Sequence, residues 1–279
     1  MTILITAFIL LALEEFLYRF HRGSSYREAD LAGSWTDIPK ENIGRPSLFM
    51  RWVRMAQLIC FGVIFAIIAT SAGFGILLTV SGQLSGLLLL LQIVRILTRK
   101  VINKYAVLYV VVFLQFILLL LLLVYGLDAS GQLIPSDRSM DWLMSALAFT
   151  VLFQLSVAFS FSCTYIIRYF SVESSPLFFS MPPLAFSEFW SRRLVRTGAC
   201  TSVLTMLLQA VLFACTGYPI GSVLLQIVLV GILIAALHEF SNRRRLHHPV
   251  AMTLTILAWL LNMVWALAGF SATSANWFA

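Results

Sequence analysis

The sequence predicts an all-α integral membrane protein. It reads as one polytopic transmembrane domain over residues 1–279, built from about eight membrane helices. Three observations predict this. Hydrophobic residues make up 60% of the chain and charged residues only 11%, with a mean hydropathy of +0.93. A soluble core of this size cannot bury so much apolar surface. The apolar residues fall into runs of helix length separated by polar stretches. The basic residues gather in every second stretch, so the formal charge of +7 speaks of membrane sidedness and not of nucleic acid.

The runs follow in order. Residues 2–18 form the first, interrupted by Glu14-Glu15. It has no basic leader and no small-residue cleavage site before Arg19, so a membrane helix is expected in preference to a cleaved signal peptide. Residues 19–54 read as a polar loop with Arg19, Arg22, Arg27, Lys40, Arg45, Arg51 and Arg54. The second span is expected at 55–80, a turn at Ser81-Gly82-Gln83, and a short third span at 84–98, followed by Arg99-Lys100 and Lys104. The fourth span is 105–126 and the fifth 141–167, divided by an acidic, Pro-containing loop. Residues 168–193 read as a loop, 194–214 as the sixth span and Thr216 to Pro219 as a turn. The seventh span is 220–238, Asn242 to Pro249 a loop, and 250–270 the eighth span.

Charge tests this count. With the N-terminus lumenal, the loops after spans 1, 3, 5 and 7 are cytosolic. They and their flanks hold every Lys and Arg except Arg138, while the other face carries Asp128, Asp137, Arg138 and Asp141. Cys60, Cys163, Cys200 and Cys215 lie scattered in apolar runs, with neither disulfide nor metal-site spacing. No zinc site or other metal site is expected. His247 and His248 read as solvated loop residues, because no carboxylate or Cys stands at ligand spacing beside them. His21 is likewise a loop residue. Glu14 and Glu15 are costly in lipid, so they should face protein or the interface.

Two pieces carry the chemistry. The first runs from Ser175 to Arg193. Its Pro182-Pro183 cannot continue a helix, Ser187 stands where an N-cap would, and Glu188 falls in the first turn, where the helix dipole favours negative charge. Phe189, Trp190, Arg192 and Arg193 follow. The second piece is Leu237-His238-Glu239, at the end of the seventh run. The expected topology sets both motifs on the cytosolic side of two antiparallel neighbours.

A proline-containing lead, then Ser-x-Phe-Trp-x-Arg-Arg, then a hydrophobic helix ending in Leu-His-Glu, resembles the wax-synthase-type membrane O-acyltransferases. These are distant relatives of the membrane-bound O-acyltransferases. The resemblance covers about residues 170–242, and Asp37-Ile38-Pro39 is similar to the family's early cytosolic loop. It implies a helical bundle around an internal tunnel, with acyl-coenzyme A as co-substrate and no bound cofactor. The family usually follows Phe-Trp-x-Arg-Arg with Trp and a polar residue, whereas this chain has Leu194-Val195.

His238 falls where the family's histidine falls. An imidazole can take the proton of an alcohol that attacks a thioester. Glu239 either orients His238 or pairs with Arg243. Arg192 and Arg193, with Arg196, suit the phosphates of coenzyme A, or form an ordinary positive-inside cluster touching lipid headgroups. Glu188 either stands in for the missing polar residue or pairs with Arg192. Phe189 and Trp190 read as interface anchors or packing residues beside the substrate.

The first expectation is therefore acyl transfer from acyl-coenzyme A to the hydroxyl of a long-chain alcohol, sterol or terpenoid, with His238 as general base. The second is an isoprenoid cyclase or isomerase that protonates its substrate with a buried carboxyl such as Glu14, Glu15 or Glu239. The third is a non-enzymatic transporter half or scaffold. The expected partners are acyl-coenzyme A, a lipophilic acceptor and membrane lipid, in the endoplasmic reticulum in preference to a bacterial inner membrane, with both termini lumenal.

Overall fold

A backbone surrounded by hydrocarbon must satisfy its own hydrogen bonds, and helices do so within one segment. The computed structural model describes residues 2–14, 16, 48–73, 76, 79–97, 107–127, 139–170, 184–216, 223–241 and 247–271. Among them are eight α-helices: α1 (Thr2–Glu14), α2 (Leu48–Ala72), α3 (Val80–Leu97), α4 (Val107–Tyr125), α5 (Ser139–Phe170), α6 (Leu184–Thr216), α7 (Val223–Ser241) and α8 (His247–Ser271). The all-helical class expected from the sequence is thus observed. Four stretches, Arg51–Ala72, Val80–Leu97, Leu143–Phe170 and Leu184–Val211, are long and apolar enough to cross a membrane. The apolar stretches Thr2–Glu14, Val110–Val124, Gln226–Ser241 and His248–Val264 are shorter.

The helices are apolar on both faces. In α2, Phe61, Ile64 and Ile68 are buried, while Ile59, Val63 and Ile67 are exposed. Exposed side chains as hydrophobic as the buried ones suit a surface that faces hydrocarbon.

The helices pack in two groups of four. Helix α3 packs against α2 and α4, and α1 joins them through the Phe8–Phe116 ring contact to α4 and the Gln57 Nε2 hydrogen bond to Leu10 O. In the second group α5 packs along α6 and α8, and α7 lies against α6 and α8. The groups meet chiefly along α4 and α5, and one apolar core runs through both. Small residues let the backbones approach: a Cβ on Gly198 of α6 would lie 3.3 Å from Leu155 of α5.

Several boundaries differ from the sequence reading. The expected turn at Ser81-Gly82-Gln83 is the first turn of α3. Thr79 makes the difference: its Oγ1 accepts from Gly82 N at 3.0 Å, an N-cap bond that starts the helix there. Gly82 must be glycine, because a Cβ would stand 1.8 Å from the Ile76 carbonyl oxygen. At the far end of α4, Gly126 takes a φ of 81° and donates to Leu122 O at 2.9 Å, closing the helix.

Helix α2 begins at Leu48, so Arg51 and Arg54 belong to it and not to the preceding loop. Helix α6 begins at Leu184 and not at 194, directly after Pro183, and Ser187 is a buried first-turn residue rather than the N-cap. Leu184 and Phe186 pack on the apolar core and bring the helix start forward. Helix α8 begins at His247, so the expected loop histidines are helical, and Pro249 is tolerated in a first turn whose N–H groups have no carbonyl within the helix. Glu15, His21, Asp37-Ile38-Pro39, Arg99, Lys100, Lys104, Asp128, Asp137, Arg138, the lead from Ser175 to Pro183, and Arg243-Arg244-Arg245 lie outside the described residues.

Gly82→Ala is expected to lower unfolding stability in detergent by more than about 2 kcal/mol, since the obstacle is backbone. Gly62→Ala, which meets nothing within 4 Å, is expected to be neutral or stabilising by up to about 1 kcal/mol. Thermal unfolding of both variants checks the pair.

Candidate functional site

The predicted motif stands on the first three turns of α6. Glu188 does not pair with Arg192. Its Oε2 lies 2.9 Å from Nδ1 of His248, in the first turn of α8, with side-chain exposures of 23% and 18%. Helices α6 and α8 thus start at the same end of the bundle. When Glu188 accepts from Nδ1–H, the imidazole is fixed in the tautomer that leaves Nε2 as a base.

Arg192, Arg193 and Arg196 are exposed and make no ion pair with a described residue. Residues 188, 192 and 196 follow one another at helical spacing, so Arg192 and Arg196 share a side of α6 with Glu188, while Arg193 neighbours Arg196 further round the helix. Beneath them, Ser191 Oγ and Ser162 Oγ of α5 lie 2.7 Å apart, both buried. The Trp190 ring lies near parallel to Phe161 of α5 at 6.4 Å and edge-on to Phe186 and Phe189. Trp190 and Phe189 remain 38% and 56% exposed, so they are half packed and half open to the surroundings. Val195, where the resembled family carries a polar residue, is fully buried in the core.

His238 and Glu239 occupy the last turn of α7, which packs against α6. His238 is exposed and has no hydrogen bond or ion pair with a described residue. Glu239 is half-buried and engaged. The histidine that meets the α6 motif is therefore His248. The signal for it was present: a Pro following two His suits a helix start, which puts His248 on a helix face instead of in a loop.

A second polar constellation was missed. Glu14 of α1 is buried, so of the two expected surroundings, protein or the interface, it has protein, and its partners come from residues the sequence reading passed over or left in a loop. Glu14 Oε1 accepts from Arg54 Nε of α2 at 2.6 Å and pairs with Arg95 Nη2 of α3. Its Oε2 accepts from Gln57 Nε2 at 2.8 Å. Gln57 Oε1 accepts from Gln92 Nε2 at 3.0 Å, and Gln92 Oε1 accepts from Gln115 Nε2 of α4 at 3.1 Å. Arg95 Nη1 donates to Gln115 Oε1 at 2.9 Å. All six side chains are at most 5% exposed. Arg54 with Gln57, and Gln92 with Arg95, are three residues apart, a spacing that puts each pair on one helix face. That spacing within apolar runs was the available signal.

The two constellations differ in what they can do. The buried network ties four helices together and holds its carboxylate as an acceptor. The start of α6 and α8 sets a histidine–carboxylate pair and exposed guanidiniums at one end of the bundle. Among the described residues, no group of three or more His, Cys, Asp or Glu is placed to hold a metal ion. No protein-family model matches the chain, no curated protein is detectably similar to it, and no solved structure matches its fold.

Glu14→Gln leaves two buried guanidiniums without their carboxylate and is expected to destabilise the protein by about 3–5 kcal/mol. Combining it with Arg95→Gln is expected to fall short of the summed single losses, because the two share one interaction. Unfolding of the single and double variants in mixed detergent micelles measures the coupling.

Proposed function

We propose that this protein is a membrane O-acyltransferase, working where α6 and α8 begin. It carries an acyl group from acyl-coenzyme A to the hydroxyl of a lipophilic acceptor: a long-chain alcohol, a sterol or a terpenoid alcohol. The observation that carries this is the 2.9 Å Glu188–His248 pair on the same helix end as three exposed arginines. In the proposed reaction His248 Nε2 takes the acceptor's hydroxyl proton as its oxygen attacks the thioester carbonyl. The C–S bond then breaks, and the imidazolium returns the proton to the departing coenzyme A thiolate. Arg192, Arg193 and Arg196 hold the coenzyme A phosphates, a task suited to planar guanidinium groups. His238, one helix away, is the other candidate base, favoured by its place in the resembled motif.

The same reading takes all eight helices as membrane-spanning, with the termini lumenal and the basic ends cytosolic. It places the protein in the endoplasmic reticulum. Charge supports this arrangement, because Arg192, Arg193, Arg196 and His248 then face the cytosol, where acyl-coenzyme A is found. The cyclase reading is weaker, since the Glu14 carboxyl is already an acceptor for Arg54 and Gln57 and the ion-pair partner of Arg95.

Acyl transfer in native membranes tests the proposal, with labelled acyl-coenzyme A and a mixture of fatty, sterol and terpenoid alcohols. The intact chain is expected to form ester, His248→Ala to lose about 10²–10⁴-fold in kcat, and His238→Ala to stay near the parent rate. Loss confined to His238→Ala would transfer the base to α7. No ester from any acceptor, with folded protein present, would reject acyl transfer. Arg192→Ala with Arg193→Ala is expected to raise the KM for acyl-coenzyme A roughly tenfold or more, as lost charge-assisted bonds do.

A further inference from the structure

Helix α6 carries one continuous exposed stripe. Arg193, Arg196, Cys200, Leu204, Leu207 and Val211 follow one another three or four residues apart, the spacing that keeps side chains on one helix face. All six are exposed, the last three by more than half. Val195, Ala199, Ser202 and Thr205, which alternate with them along the chain, are buried, so the stripe is the outer face of α6. Arg196 borders the Glu188 side, whereas Arg193 lies further round the helix, away from the Glu188–His248 pair.

The stripe divides by chemistry. Its start bears two guanidiniums, with the exposed Phe189 ring one turn before Arg193. From Cys200 onward it is apolar. Glu188 is the one acidic residue of α6 and is already paired with His248, so no other carboxylate of this helix offsets the two cations. Cys200 and Val211 are eleven residues apart, about 16 Å of helix at ~1.5 Å per residue. That is close to half of a hydrocarbon core of ~30 Å. A matching ligand therefore has a negative head directly joined to hydrocarbon as long as one leaflet is deep. Free phosphate matches the head only, and a neutral lipid or a second copy of the chain matches the apolar part only. In acyl-coenzyme A a long polar arm separates the phosphates from the hydrocarbon, yet here Cys200 stands only four residues past Arg196. A zwitterionic phospholipid brings a cation towards the guanidiniums, whereas an anionic one brings a phosphate without it.

We propose that Arg193 and Arg196 head a binding site for an anionic phospholipid, whose phosphate meets the guanidiniums and whose acyl chain lies along Cys200 to Val211. The lipid occupies this face when acyl-coenzyme A is absent. The site does not depend on the acyl-transfer reading, and its test contains no acyl-coenzyme A.

Full-length protein, stripped of lipid in detergent, is titrated with phosphatidylglycerol, with phosphatidylcholine of the same chains, or with water-soluble glycerophosphoglycerol. Native mass spectrometry counts the bound species. Phosphatidylglycerol is expected to bind about tenfold or more tightly than phosphatidylcholine, the worth of two guanidiniums near one anionic headgroup. Arg193→Gln with Arg196→Gln is expected to bring the two lipids to parity. Arg51→Gln, which removes an exposed guanidinium from the start of α2, is expected to keep the preference. An equal loss in Arg51→Gln would reduce the effect to general positive charge and overturn the proposal. Equal binding of the two lipids by the parent protein, or a preference that survives the double variant, would overturn it too. Glycerophosphoglycerol binding as tightly as the lipid would assign the guanidiniums to phosphate alone, and a dimer that excludes lipid would assign the stripe to a second copy; either result rejects the site. If the double variant does not fold, the comparison of lipids on the parent protein and on Arg193→Gln alone decides.

Discussion

Glu14 sets the terms for the first half of this protein. A carboxylate among apolar helices is held only by partners that replace every hydrogen bond water would give. Here those partners come from α2 and α3, and Gln92 and Arg95 extend the network to α4. Apolar contact alone gives such helices little reason to choose one register, because lipid chains are as apolar as a neighbouring leucine. Directional bonds supply the choice. Slide α3 by one turn and Arg95 leaves Glu14 while Gln92 leaves Gln57. The network is thus a registration device, and the lower end of the α3–α4 pair is fixed independently by Ser81 Oγ donating to Gly126 O at 2.8 Å.

The second half uses smaller polar groups. Ser156, Ser160 and Thr164 of α5 return their hydroxyl protons to the carbonyls four residues earlier, which leaves oxygen lone pairs for neighbours. Ser156 Oγ accepts from the Trp259 indole of α8 at 2.9 Å, and the indole stacks on Phe159 at 4.1 Å. Ser162 meets Ser191 on the facing side of α6. These contacts hold α6 and α8 against α5 at fixed heights. That brings the first turns of α6 and α8 level, and Glu188 reaches His248 as a consequence.

Charge is therefore handled in two ways in one chain. In α1 to α3, Glu14, Arg54 and Arg95 are sealed inside and matched. At the starts of α6 and α8 charge is left accessible, with guanidiniums that make no ion pair with a described residue and a half-covered His–Glu pair. Sealed charge stabilises an arrangement, whereas accessible charge can meet a solute, and the proposed chemistry draws on the second kind.

Composition alone pointed to the class: 60% hydrophobic residues fold into helices of which four are long and apolar enough to cross a membrane. The apolar runs also carried the helix order, and the cost of a carboxylate in lipid directed Glu14 to protein or the interface, of which the fold chose protein. Helix ends were read less well. Thr79, Leu184 and His247 mark starts that depend on a cap or on packing against other helices, neither visible in hydropathy. Residue pairing was decided by tertiary structure alone. The local rule offered Arg192 to Glu188 four residues away, but the fold supplied His248 sixty residues on, because α8 delivers it against the side of α6 that Glu188 faces. Arg95 and the three glutamines went unnoticed for the same reason: they are sparse polar residues in apolar runs on three different helices, and only the packed helices show that they form one network around a single carboxylate.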